Sequence, residues 1–172
     1  MEVEGGLEKK LKRYPEAVGI GQGVGLATTA AGVLNAEKFA SYLSIENLLT
    51  KSYNVFGYNV TPGLPVLAAA FNFIGDQIGF AASLYAFNRE RYKGLKGKGR
   101  FINDFANLGF RHLGSYIISY PLAIAASTAL IATGLFTGFV ATMIPYVAES
   151  LITALGYIFS TRWYRKTAYA PA

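Results

Sequence analysis

Cysteine is absent from the 172 residues, histidine and tryptophan occur once each, and charged residues make up only 15%. The missing thiols exclude a disulfide framework, thiol nucleophiles and Cys-based metal sites. A single imidazole, His112, is too little for a zinc site of the usual kind. No Ser or Asp stands at catalytic spacing from it, and no nucleophile elbow, metal cluster or glycosyltransferase motif occurs. We therefore expect no enzyme and no cofactor. Soluble domains carry about 25% charged residues, so low charge beside 52% hydrophobic residues places the chain in the membrane class. The formal net charge of +6 would suggest nucleic acid in a soluble protein. Here the 16 basic residues gather at the ends of apolar runs, which points to an anionic lipid surface and excludes nucleic acid. The first 16 residues, MEVEGGLEKKLKRYPE, are polar and lack a cleavage pattern, so the first apolar run is expected to be the insertion signal.

What is present is organised around residues 64–100, an apolar run that stops in a burst of Lys and Arg. About 20 apolar residues span a hydrocarbon core roughly 30 Å thick, and basic residues just past the end mark the cytoplasmic side. The same reading along the chain predicts a single all-α integral membrane domain of four spans. These cover about 14–34, 64–88, 114–135 and 139–160, with a cytoplasmic basic loop at 89–113 and an outer loop at 35–63. Of all the Lys and Arg, only Lys38 and Lys51 fall in the outer loop, which puts both termini in the cytoplasm and the chain in the cell membrane.

The first span is rich in glycine. Gly19 and Gly23, then Gly21 and Gly25, are four apart, a spacing that lets a neighbouring helix approach closely in lipid. A phosphate loop is excluded because GIGQGVG lacks a preceding strand and a following Lys-Ser/Thr. In the outer loop Phe39, Tyr42, Leu43, Ile45 and Leu49 form a broad apolar face, expected as an interfacial helix. Tyr53, Phe56 and Tyr58 continue that interfacial character, and Asn59-Val60-Thr61 is a glycosylation pattern. Gly94, Gly97 and Gly99 suggest a flexible inner loop, followed by an amphipathic lead-in, FINDFANLGFRHL, at the inner surface. Pro121 and Pro145 lie inside spans three and four, where each frees a carbonyl and predicts a kink.

Spans two and four match at a constant offset of 72 residues, 149 minus 77. Ala82, Tyr85, Phe87, Tyr92 and Lys93 fall on Ala154, Tyr157, Phe159, Tyr164 and Arg165, and Gln77 falls on Glu149. Two repeated hairpins related by an axis along the membrane normal are the expected arrangement. The hairpin tails, Tyr85-Ala86-Phe87-Asn88-Arg89-Glu90-Arg91-Tyr92 and Tyr157-Ile158-Phe159-Ser160-Thr161-Arg162-Trp163-Tyr164, carry a resemblance. They resemble the GtrA-like family of four-helix membrane proteins, whose hairpins end in aromatic residues and Asn-Arg before a basic loop. The transmembrane part of archaeal dolichol-phosphate mannose synthases is similar. This chain departs in its long outer loop and in Ser160-Thr161 where Asn is expected. The resemblance implies handling of polyprenyl-phosphate-linked sugars in cell-surface polysaccharide synthesis, beside a glycosyltransferase partner.

Two candidate sites follow. At the inner rim Asn88, Arg89, Arg91, Lys93, Arg162, Trp163 and Arg165 could take a lipid phosphate, since Arg forks bind phosphate bidentately. The bland alternative is that they only anchor the inner boundary. Inside the spans lie Gln22, Asn72, Asp76, Gln77, Ser119, Tyr120 and Glu149, with no Lys or Arg to pair the acids. Intramembrane acids are functional candidates by default, for proton- or ion-coupled transport in a homo-oligomer. The alternative is a pair of protonated acids hydrogen-bonded to Gln22, Asn72 or Tyr120.

Overall fold

The computed structural model describes residues 11–55 and 57–168, and their side chains except those at 55, 58, 110–115, 154 and 156–168. In chain order the elements are α1 (Tyr14–Leu34), α2 (Ala36–Tyr42), α3 (Glu46–Thr50), β1 (Tyr53–Val55), β2 (Tyr58–Val60), α4 (Gly63–Phe87), α5 (Gly94–Ala132) and α6 (Gly138–Ala168). Apart from one short ribbon the described fold is all-α. Its four long helices pack in a ring, α1 on α4 and α6, and α5 on α4 and α6, each antiparallel to its neighbours.

Helix α1 begins with Pro15 in its first turn, where the missing N–H costs nothing. Its 21 residues run about 32 Å at 1.5 Å per residue. Among the described residues α1 and α4 are the two helices long and apolar enough to cross a membrane. Within the parts of α5 and α6 whose side chains are described, the apolar stretches run Tyr116–Ala132 and Gly138–Thr153.

Polarity is distributed inside out. Gln22, Asn72, Asp76, Ser83, Ser127, Thr142 and Ser150 are buried, whereas Ile74, Ile78, Ile117, Leu122, Leu151 and Ile152 are exposed. Two small apolar clusters still close the ends of the bundle. Tyr14, Val18, Phe80, Leu84, Tyr92 and Leu108 form one, and Val33, Ala68, Ala69, Ala123 and Tyr146 the other.

The closest contact is α1 on α4, and glycine makes it. A Cβ at Gly25 would lie 2.9 Å from the Asn72 carbonyl oxygen, and one at Gly79 would lie 2.7 Å from Val24 Cβ. Gly21 and Gly75 are equally closed, by Asp76 and by Thr28. Thus Gly21 and Gly25 interlock with Gly75 and Gly79, a second pair at the same spacing. Gly19 and Gly23, the other expected pair, face open space. Hydroxyls stitch the same seam: Thr28 donates to the Phe71 carbonyl at 2.9 Å and Ser83 to the Ala17 carbonyl at 3.2 Å.

The inner loop and third span differ from expectation. Instead of a flexible loop to residue 113, a single 39-residue α5 starts at Gly94 and runs through Pro121. Gly94 adopts φ +73°, and Gly97 is buried against the Tyr92 backbone, so these glycines serve a turn and a close approach. The lead-in does not lie flat. Ring pairs Tyr85–Phe101 at 5.4 Å, Phe80–Phe105 at 6.0 Å and Phe73–Tyr116 at 5.6 Å align it along α4. Its Phe101, Phe105 and Leu108 join the apolar cluster around Tyr14 and Phe80, which is why it stands upright. Likewise α6 runs unbroken past residue 160 and through Pro145.

The outer loop is also more structured than expected. The apolar stretch breaks at Ser44, φ +56°, into α2 and α3. The Phe39 ring packs at a tilt against Phe71, 4.8 Å between centroids, while Tyr42 is 87% exposed. Then β1 and β2 form an antiparallel ribbon that pairs Asn54 with Asn59, turning at Gly57, φ +85°. The repeated Tyr-Asn-Val around the turn is its sequence signature. Phe56 lies outside the described residues.

Gly25→Leu should lower the melting temperature in detergent sharply, because overpacking costs about 1–3 kcal/mol or more. Gly23→Leu, on the open face, should leave it within a degree or two.

Candidate functional site

The core site is built by α1, α4, α5 and α6 together. From α4 come Asn72 and Asp76, one turn apart, each at most 2% exposed. Asp76 sits against the α1 glycines: a Cβ at Gly21 would meet its Oδ1 at 2.5 Å. Helix α5 brings Tyr120, which donates to Asn72 Oδ1 at 3.0 Å. Helix α6 brings Tyr146, whose hydroxyl donates to the Pro65 carbonyl at 2.8 Å, and one turn on, Glu149. The two carboxyls come within electrostatic reach of each other. Tyr120 lies within reach of both.

Hydrogen bonding in this core is incomplete. Gln77 Nε2 reaches Asp76 Oδ2 only at 3.5 Å, and Thr153 Oγ1 reaches Glu149 Oε1 at 3.3 Å. Ser119 and Ser150 also bring their hydroxyls within reach of the Glu149 carboxyl. Among the described residues Gln22 Oε1, Asn72 Nδ2, Ser119 Oγ, Thr142 Oγ1, Glu149 Oε2 and Ser150 Oγ are buried without a partner. Buried polar groups are nearly always satisfied, so such a concentration calls for a ligand, water or ion. The structure thus brings together Asn72, Asp76 and Glu149, buries Gln22 on α1, and leaves Gln77 half-buried, facing Gly109 of α5.

The inner rim divides differently. Asn88 is not free to meet a phosphate. It is 5% exposed, accepts from the Lys12 amide at 2.7 Å, and donates to the Lys12 and Leu84 carbonyls at 3.2 and 3.0 Å. Arg91 is committed too, with Nε 2.8 Å from Asp104 Oδ2, an acid buried by α5. Tyr92 donates to the same oxygen at 3.3 Å. Burial, then the Asp104 charge, push the Tyr92 hydroxyl up from 10.0 to about 12. Lys93 pairs with Glu90 at 2.6 Å. Arg89 stays exposed, with no ion pair among the described residues. The side chains of Arg162, Trp163 and Arg165 lie outside the described residues, as does His112.

Clamping Lys12 to Asn88 has an electrostatic result. It sets Lys12 and Arg13, from the start of the chain, beside the cations that follow α4. Lys93, Arg89 and Lys12 together hold the Glu90 carboxyl below its ordinary value. Arg13, at φ +54°, lays its guanidinium 4.3 Å from the Phe87 ring centroid. Sequence reasoning missed this convergence, and it missed Asp104 and Tyr146. A cue for Asp104 was its position three after Phe101 and four before Leu108, on the face that becomes buried.

Searches of family models, curated proteins and solved structures gave no match to this chain.

Asn88→Ala should unclasp the arm and cost about 1–3 kcal/mol, since it leaves buried backbone groups unpaired; thermal unfolding in detergent measures it. Stability should also fall as pH rises from about 10 to 12. There the unfolded chain ionises Tyr92 before the folded one does, so the contribution present below the unfolded value is lost. Tyr92→Phe should flatten that alkaline limb in a pH series of melts.

Proposed function

We propose that the chain is a four-span membrane protein of GtrA-like type, binding a polyprenyl-phosphate-linked sugar at its inner rim beside a glycosyltransferase partner. The observation that carries this reading is the convergence of Lys12, Arg89 and Lys93 around Glu90 at one end of an apolar-surfaced bundle. A lipid phosphate needs cations from several segments at headgroup level, and the Asn88 clasp gathers them from both ends of the first hairpin. Anionic headgroups gain about 1 kcal/mol per nearby basic residue. Buried polar and exposed apolar residues support the membrane part of the proposal, in which α5 and α6 cross as well as α1 and α4.

A second reading is favoured by the core: two carboxyls from different helices, amid unpartnered polar atoms, suit a small proton- or ion-coupled transporter. In it the rim only anchors the bundle.

Native mass spectrometry with added polyprenyl phosphate should show the lipid retained. Lys12→Ala with Arg89→Ala should weaken retention about thirtyfold, at about 1 kcal/mol for each of the two basic residues; no retention by the unmodified protein defeats the first reading. The native absence of Cys makes topology simple to test. Lys51→Cys and Thr137→Cys should label from outside the cell, and Lys98→Cys only after permeabilisation.

A further inference from the structure

We propose that the core between α4 and α6 is a site for one monovalent cation of the sodium class, held by carboxylate oxygens of Asp76 and Glu149 with the hydroxyls of Ser119 and Ser150. The proposal deepens the second functional reading and rests on it for the placement of these groups inside the bilayer.

Four observations converge on that ligand. The unpartnered atoms are almost all oxygens: Glu149 Oε2, Ser119 Oγ, Ser150 Oγ, Gln22 Oε1 and Thr142 Oγ1, against a single nitrogen, Asn72 Nδ2. Oxygen donors select hard cations, whereas transition metals prefer nitrogen and sulfur. Next, Ser150 is only 3% exposed, and its hydroxyl lies within reach of the Glu149 carboxyl with no other partner. A hydroxyl in that position can turn a lone pair to an ion beside the carboxylate. Thirdly, no cationic side chain contributes to the surroundings of Asp76 or Glu149 among the described residues. Arg91, the half-buried Arg nearby in sequence, is spent on Asp104. The core therefore lacks a counter-charge, and a charge at membrane depth requires one.

The fourth observation sets the valence. No third His, Cys, Asp or Glu joins the pair among the described residues. Two carboxyls are fewer than a dedicated calcium site uses. A single positive charge neutralises the pair when one of its acids is ionised. Tyr120 and Tyr146 wall the site, their hydroxyls already committed to Asn72 and Pro65.

The test uses the unmodified protein in detergent or nanodiscs at fixed ionic strength, exchanging choline chloride for lithium, sodium or potassium chloride. A saturating rise in melting temperature with sodium, absent with choline, is the expected result. Glu149→Gln and the milder Ser150→Ala should each raise the half-saturating sodium concentration tenfold or more. Equal responses to choline and sodium, or no response to any alkali cation, overturn the site. Stabilisation by falling pH without cation dependence also overturns it, in favour of protonated acids. Sodium flux in liposomes separates site from transport: binding without flux keeps the site and removes the coupled-transport reading.

Discussion

The rest of the molecule depends on the backbone-to-backbone contact of α1 with α4. Gly21 and Gly25 meet Gly75 and Gly79 so closely that a single added Cβ would collide with main-chain or near-main-chain atoms. In the bilayer that we propose for this pair, no hydrophobic gain separates helix contact from tail contact, so dispersion at short range and interhelical hydrogen bonds must hold it. The seam supplies both. Thr28 and Ser83 place hydroxyls on carbonyls of the facing helix or its own, in a setting where each such bond contributes about 0.6 kcal/mol. Glycine's usual cost in a helix, up to about 1 kcal/mol against Ala, is offset by that proximity.

This tight pair fixes where the chemistry lies. Asp76 sits on the α4 face that α1 covers, wedged over Gly21 and Gly25, so bulk cannot approach it from that side. Tyr120 of α5 and Glu149 of α6 come within electrostatic reach of it. Tyr120 bonds Asn72, and Ala123 packs with Ala68 and Ala69, so this part of α5 lies level with residues 68–72 of α4.

What the sequence made legible follows the physics of each signal. Residues 14–34 and 64–88 were read almost to the residue, because an apolar run bounded by Lys12-Arg13 or Asn88-Arg89 carries both its length and its ends. The glycine spacing announced close packing but not its face, since Gly19–Gly23 and Gly21–Gly25 look alike until a partner with its own Gly75 and Gly79 chooses between them. Helix α5 was misjudged because Gly94, Gly97 and Gly99 look like flexibility, when Gly97 is small so that Tyr92 can pack on it. Gln22, Asn72, Asp76 and Glu149 stand out in the sequence as polar residues within apolar runs, yet their joint lack of partners depends on four helices at once and no local pattern encodes it. Burial of Asp104 was hidden for the same reason: its partner Arg91 looked like a headgroup ligand.

The tail Phe87-Asn88-Arg89 is where the proposed GtrA-like reading and the structure bear on each other most directly. Read as a motif, its Asn and Arg would touch one ligand. In this chain the three residues do three things: Phe87 carries Arg13 on its ring, Asn88 binds the Lys12 backbone on both sides, and Arg89 faces out. The motif is first a clasp between the arm and α4, formed across 76 residues of sequence. A clasp of this kind makes a cationic surface without using any of its own charge, because it holds Lys12 and Arg13 beside Arg89 against their mutual repulsion. The strain of Arg13 at φ +54°, on the order of 1–2 kcal/mol for a residue with a Cβ, needs such a compensating hold. Asn and no acid suits the central position: an amide both donates and accepts, so it can satisfy an N–H and a carbonyl together, where a carboxylate could only accept and would cancel the positive field it assembles.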